Sequence, residues 1–374
     1  MEFRDLRKQY QLHQSQIDSA IQDVLLSSHF IGGEQVKQLE GKLADYVGVK
    51  HCITCANGTD ALQLALMAWG IGKEDAVFVP DFTFFSSGEV VPFVGATPIF
   101  VDIDANTYNI SCKSLQDAIE YTIHRTNLKP RVIVAVDLFG QPADFQAIRA
   151  IAEKYSLLLL EDAAQGFGGM MDDRMACSFG DISTTSFFPA KPLGCYGDGG
   201  AIFTNDDAWA EKLRSLCVHG KGSDKYDNVR IGMNSRLDAI QAAVLMQKLS
   251  FFEEEIVACN CVAERYSEQL HDIVKTPVIL QNMRSSWAQY TICLKDAEER
   301  NKVMAQLKAD GIPSAVYYKK PMHEQQAFAE GLIEAASYAQ TQDICERCLS
   351  LPMHPYMEDE QIQAVCDSVK KVFM

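Results

Sequence analysis

The sequence predicts an α/β fold: a largely parallel sheet wrapped by helices, followed by a smaller α/β domain. Two patterns carry this. Continuous apolar runs alternate with stretches of helical periodicity, as expected of parallel strands buried on both faces. After about residue 255 shorter strand-like runs sit between helices, which places the division at 1–254 and 255–374. The chain has 374 residues, 47% hydrophobic and 22% charged, enough to build a large core without disulfides or structural metals.

The elements follow in chain order. Between Glu34 and Tyr46 the residues Val36, Leu39, Leu43 and Tyr46 recur at helical spacing. Cys52–Cys55 reads as a short strand, then Asn57-Gly58-Thr59-Asp60 opens an apolar helix that runs to Trp69. Ala76–Val79, Pro98–Ile103 and Val132–Asp137 read as strands, and Asp144–Tyr155 as a helix burying Phe145, Ile148, Ile151 and Ala152. Leu157–Leu160 ends in Glu161-Asp162, and two further strands are expected at Ile182–Phe188 and Gly200–Thr204. A long helix is predicted from Ser235 to Phe252, started by the Ser235/Asp238 capping pattern. In the second domain, strands at Tyr290–Leu294 and Ser314–Tyr318 lie between helices that include Asp296–Asp310, Tyr338–Cys348 and Glu358–Val372.

Lys and Arg number 34 against 50 Asp and Glu, a net charge of −16. That argues against nucleic-acid and anionic-membrane partners, which need a basic face. A small anionic ligand remains compatible, because local donors hold a phosphate whatever the net charge. The apolar runs Val90–Val94 and Leu157–Leu160 are far too short to span a bilayer. The charged stretch from Met1 to Ile17 has no signal-peptide core. Twelve cysteines are then expected to be reduced thiols in a cytoplasmic protein. Cys52/Cys55 and Cys345/Cys348 are both C-x-x-C pairs; a split zinc site is one reading, small buried hydrophobes the preferred one.

Ligands of such sheets bind at the carboxyl ends of the strands, where three segments carry candidate chemistry. Gly58 and Thr59 open a helix whose first N–H groups are free to take an anion, although a simple capped helix has the same sequence. Asp162 follows a buried strand directly, so its carboxylate needs a partner; a protonated pyridine nitrogen is one, the cap of the next helix another. Lys191 lies in Ser186-Phe-Phe-Pro-Ala-Lys191-Pro-Leu-Gly among apolar residues and glycines. In a pocket its amine would lose charge and gain nucleophilicity; on an open loop it would be an ordinary surface lysine. A lysine amine, a carboxylate for a ring nitrogen and a phosphate cup are together the parts that pyridoxal phosphate requires.

These motifs, taken in order with Gly197-Asp-Gly-Gly-Ala201 and Asn234-Ser-Arg-Leu237, resemble the DegT/DnrJ/EryC1/StrS family of pyridoxal-phosphate-dependent nucleotide-sugar aminotransferases. The resemblance runs from Phe3-Arg-Asp-Leu6 to Leu351-Pro-Met-His-Pro-Tyr356. It implies the type I aminotransferase fold, with a seven-stranded sheet in the large domain. It makes Lys191 the Schiff-base lysine and Asp162 the partner of the pyridinium nitrogen. Gln165 would lie by the ring hydroxyl, and Gly58, Thr59 and Ser186 would hold the phosphate. Phe84 would stack on the ring, the alternative being plain core packing. Asn234 would reach the phosphate from the partner subunit of a homodimer.

Within the family, the segments Ser186–Thr204, Val229–Ala242 and Ser350–Tyr356 are most similar to members that aminate a UDP-linked 3-keto uronate, UDP-2-acetamido-2-deoxy-3-oxo-glucuronate, with L-glutamate as donor, for surface polysaccharide. Arg230 and Arg236 are the candidate partners for the substrate carboxylates, and Tyr317, Tyr318 and His323 fall in substrate-side segments. Tyr317-Tyr318 departs from a His-Tyr pair at that place, which leaves amination of another carbon, or of a dTDP- or GDP-linked keto sugar, as an alternative. A dehydratase is disfavoured by Lys191, where that branch has histidine. A non-catalytic cofactor-binding regulator is the reading from a different class.

Overall fold

The computed structural model describes residues 1–224 and 226–374. Two helices, α1 (Leu6–Ser27) and α2 (Glu34–Val47), precede an alternating run: β1 (His51–Cys55), α3 (Gly58–Trp69), β2 (Asp75–Pro80), α4 (Ser86–Phe93), β3 (Thr97–Val101), α5 (Cys112–Arg125), β4 (Lys129–Val136), α6 (Phe145–Tyr155) and β5 (Leu158–Asp162). The short strands β6 (Met170–Met171) and β7 (Arg174–Met175) lead to β8 (Ile182–Ser186), β9 (Gly200–Thr204), α7 (Asp207–Leu216) and α8 (Ala239–Leu249). The rest of the chain is α9 (Phe252–Leu270), β10 (Met283–Arg284), β11 (Tyr290–Cys293), α10 (Ala297–Ala309), α11 (Ala339–Arg347), β12 (Cys348–Leu351) and α12 (Asp359–Lys370).

The main sheet has seven strands in the order β1-β9-β8-β5-β4-β2-β3. All are parallel except β9, which runs antiparallel to both of its neighbours. The strand residues are mostly buried because helices cover both faces, which is why they read as unbroken apolar runs. The β1–β9 register sets Cys55 opposite Gly200, and a Cβ on Gly200 would lie 2.5 Å from the Asn57 carbonyl oxygen. Only glycine lets β9 pass the turn into α3 at that distance.

A second core surrounds the antiparallel pair β11–β12, where α9, α10 and α12 contribute Tyr266, Val303, Leu307, Ile362 and Val365. The division expected after residue 254 falls inside α9. The later segment returns to the first domain: Met322, Phe328, Tyr338, Ile344 and Cys345 pack with Val91 and Phe100 in the core of the large sheet.

Three expectations are corrected. The helix from Ser235 to Phe252 is two elements, α8 and α9, and α8 begins only at Ala239. Ser235 is buried and its hydroxyl accepts from the Ala56 N–H at 3.0 Å, so it ties the β1–α3 turn instead of capping a helix; Asp238 makes no side-chain cap bond. Ser314–Tyr318 forms no strand beyond a single bridge between Ala315 and Ser350, and Pro313 before it has no N–H to extend a ladder. Cys345 and Cys348 do not share a helix, since α11 ends at Arg347 and Cys348 opens β12. Cys52 and Cys55 are buried in β1, and the described residues hold no cluster of metal-ligating side chains. Among them no helix is long and apolar enough to cross a membrane.

Candidate active site

A cleft of about 920 Å³ opens at the carboxyl ends of the parallel strands. Its floor is set by β5 and β8. Asp162 is the last residue of β5 and is buried. Its Oδ2 accepts from the Ser87 hydroxyl at 2.7 Å and its Oδ1 from the Ala164 N–H at 3.2 Å. Ser87 lies in the first turn of α4, directly after β2, and Thr83 bonds it at 3.0 Å. Burial pushes the Asp162 carboxyl upward; Ser87, Ala164 and the charge on Lys191 act against it.

Lys191 follows β8 in a tight turn. Its N–H donates to the Phe188 carbonyl at 2.8 Å, and Cys195 N–H donates back to Phe187 at 2.8 Å. A Cβ on Gly194 would meet the Pro189 carbonyl oxygen at 2.5 Å, so the turn requires glycine there. Burial lowers the pKa of the Lys191 amine, opposed by Asp162 and assisted by Arg4. The two groups are thus poised oppositely, an acid and a base sharing one cavity.

The anion cup lies at the start of α3. The Asn57 side chain accepts from Asp60 N–H at 2.8 Å and the Asn57 carbonyl from Ala61 N–H at 3.1 Å. The first two N–H groups, of Gly58 and Thr59, then point past the helix end. A Cβ on Gly58 would stand 2.7 Å from that of Ser186, so the glycine keeps the floor of the cup open. Thr59 hydroxyl bonds Ser86 at 2.8 Å. Phe84 lines the cleft with half its surface exposed, its ring tilted toward Tyr318 at 6.3 Å, so plain core packing is not its place. Gln165 is buried, accepts from Phe139 N–H at 2.9 Å and donates to the Tyr318 hydroxyl at 3.1 Å. Tyr317 also lines the cleft.

The remaining candidates sit elsewhere in this chain. Asn234 and Arg236 are exposed and Arg230 is half-buried, and none of the three lines the cleft. His323 lies just behind its wall: Nδ1 pairs with Asp81 at 2.6 Å, and the ring stacks on Tyr338 at 4.2 Å. Several lining residues escaped the sequence reading, notably Ser87, Gln289 and Lys320. Apart from Lys191, Lys320 is the only cationic side chain among the described lining residues. Nothing local marks Ser87, whereas Lys320 was visible as a basic residue in a segment already assigned to the substrate side.

A strand-end acid, a half-buried lysine and a helix-start anion cup, with an exposed aromatic between them, fit the ring nitrogen, aldehyde and phosphate of pyridoxal phosphate. Site and seven-stranded sheet together define a pyridoxal-phosphate-dependent aminotransferase. The chain belongs to the DegT/DnrJ/EryC1/StrS aminotransferase family, which it matches over residues 11–370. It is 45% identical over 367 residues, 98% of each chain, to the UDP-2-acetamido-2-deoxy-3-oxo-D-glucuronate aminotransferase of Pseudomonas aeruginosa. A family aminotransferase from Brucella abortus superposes with a TM-score of 0.97 at 48% identity, covering 99% of both chains. NtdA from Bacillus subtilis, solved with the cofactor PMP bound, gives 0.87 at 29% identity over 96% of this chain and 82% of its own.

Proposed function

We propose that the protein transfers the amino group of L-glutamate to a UDP-linked 3-keto uronate, UDP-2-acetamido-2-deoxy-3-oxo-glucuronate, in the cytoplasm and toward a surface polysaccharide. The observation that carries this is the pairing of Lys191 and Asp162 in one cleft, in a chain alike end to end with an enzyme of that name. Asp162 would hold the ring nitrogen protonated, and the Ser87 hydroxyl favours the charged form of Asp162 and orients it. Gly58, Thr59 and Ser186 would hold the phosphate, Phe84 would cover the ring, and Gln165 would sit at its hydroxyl edge. The cofactor supplies an electron sink for the bond being broken at the substrate carbon. Lys191 Nζ would move a proton from the glutamate α-carbon to the cofactor carbon, and in the second half-reaction would take one back from that carbon and deliver it to the sugar carbon that gains the amine.

The substrate brings a diphosphate and a carboxylate. Lys320 is the cation this chain offers them. Arg230, Arg236 and Asn234 lie on a face with exposed Val229 and Ile231. We infer that a second copy covers that face and that each copy presents these residues to its partner's cleft. Mixing an inactive Lys191→Ala chain with an inactive Asn234→Ala chain should then restore activity. Two silent parents giving a silent mixture of proven heterodimers would show that the sites are not shared.

The substrate is tested with glutamate and a panel of UDP- and dTDP-keto sugars generated in place, with 2-oxoglutarate as readout. Release with the UDP-uronate is the expected result. Turnover of a dTDP-linked 6-deoxy-keto sugar without the uronate would replace this assignment.

A further inference from the structure

The turn that carries Lys191 is held by two cations, one half-buried and one buried. Arg4, just before α1, donates from Nη2 to the carbonyl of Pro192 at 3.2 Å. Lys248 of α8 is buried, donates to the carbonyl of Gly194 at 2.8 Å and lies over the Tyr196 ring at 4.3 Å. No described carboxylate forms an ion pair with Arg4, and its buried Nη1 has no described partner. Glu255, the acid of this buried cluster, is engaged by Gln9 at 2.9 Å and by the Tyr356 hydroxyl. The segment around Arg4 is itself fixed: Phe3 carbonyl accepts from Met353 N–H at 3.0 Å, the Phe3 ring meets Tyr317 at 6.3 Å, and Asp5 caps α1 through Lys8 N–H.

We propose that Arg4 is a positioning residue for Lys191, gripping the turn that carries it and setting an unneutralised positive charge beside it. Asp162 faces Lys191 from β5 and favours its charged form, while Arg4 faces it from the N-terminal segment and opposes that form. Asp198 and Lys320 line the same cleft. A guanidinium stays charged across the working pH range, so its effect is constant. The amine must be uncharged both to attack a carbonyl and to accept a proton, and a fixed neighbouring cation favours that state without touching the reacting atoms. The carbonyl bond adds geometry: without it the turn has one cation fewer to fix its direction.

This inference rests on Lys191 being the lysine that joins the cofactor. Borohydride reduction of the unaltered holoenzyme, followed by peptide mass spectrometry, checks that separately. The test proper is a pH titration of the visible absorbance of the bound cofactor in Arg4→Gln holoenzyme. Its midpoint is expected to rise by about one pH unit, and Arg4→Lys should restore the original midpoint. The full-length apoprotein gives a second reading, since acetic anhydride should label Lys191 less at a given pH in Arg4→Gln, with exposed Lys8 as internal reference. If Arg4→Gln does not fold, Arg4→Met keeps the aliphatic packing and is titrated in its place. An unchanged midpoint in a folded variant, or a shift that Arg4→Lys fails to reverse, overturns the proposal.

Discussion

Ser87 shows how a single hydroxyl decides what a buried acid can do. Burial pushes the Asp162 carboxyl toward its neutral form, Ser87 pulls it back, and only a carboxylate can hold a ring nitrogen in its charged form. Hydrogen bonds to charged groups contribute about 1.5–3 kcal/mol. Ser87→Ala should therefore weaken cofactor binding by about tenfold, read by equilibrium dialysis or quenching of intrinsic fluorescence. An unchanged affinity would mean that Ala164 N–H and the surroundings suffice. Lys191→Ala should leave no borohydride-stable cofactor adduct in the mass spectrum, and any remaining adduct would move the lysine role elsewhere. At this scale the sequence was informative about residues that do one job in one place. Asp162 ends a strand, Gly58 starts a helix and Lys191 lies in the glycine-rich turn after β8, all features of local pattern. Ser87 was invisible because its role comes from a residue 75 positions away. His323 was assigned by segment, but its ring is committed to Asp81 and Tyr338.

Among the elements, α3 carries the largest functional load. Its cap, its first two N–H groups and its close pass of β8 all come from Asn57-Gly58-Thr59. Gly58→Ala would drive a methyl into Ser186, an overpacking that costs about 1–3 kcal/mol in general. The prediction is a lower melting temperature together with weaker phosphate binding, compared with and without added cofactor by differential scanning fluorimetry. A variant that melts earlier but binds cofactor normally would show that the cup relaxes. The strands of the main sheet were read to within a few residues because burial on both faces makes them apolar, whereas Ser314–Tyr318 and Cys348–Leu351 were not. The error at α8 has the opposite origin. Ser235 has the composition of a helix cap, but its hydroxyl is taken by Ala56, and that long-range bond leaves no trace in the local sequence.

At the scale of the molecule, the thiols set the response to alkaline pH. All of the cysteines except Cys112 and Cys261 are buried. Burial raises the pKa of Cys195 to about 11 and of Cys217, Cys259 and Cys348 to about 12. In the unfolded chain thiols ionise near pH 8.5, as a rule of thumb. Below that pH both states hold their protons and these groups do not change stability. Above it the unfolded chain releases protons that the folded chain keeps, so stability falls as pH rises toward the folded values. Lys248, lowered to about 8 by burial, and Lys191, also lowered by burial, act in the opposite sense but are outnumbered by the thiols. The urea midpoint in reductant should be level from about pH 7 to 8 and decline steadily from about pH 9 to 10. A flat profile would mean the thiols ionise in place. In the native protein, iodoacetamide should label exposed Cys261 first, as tandem mass spectrometry would show. The anion cup is made of backbone N–H groups and hydroxyls, with Asp60 the carboxylate in the same helical turn.

The return of residues 322–348 to the first core bears on the order of assembly. Met322, Phe328, Tyr338 and Ile344 fill space beside Val91 and Phe100 that nothing made earlier occupies. On the ribosome the nascent large domain would emerge with that apolar flank bare until nearly the whole chain has been synthesised. A chain halted at residue 254 should therefore be retained by chaperones or aggregate, whereas the finished chain closes the flank with its own last third.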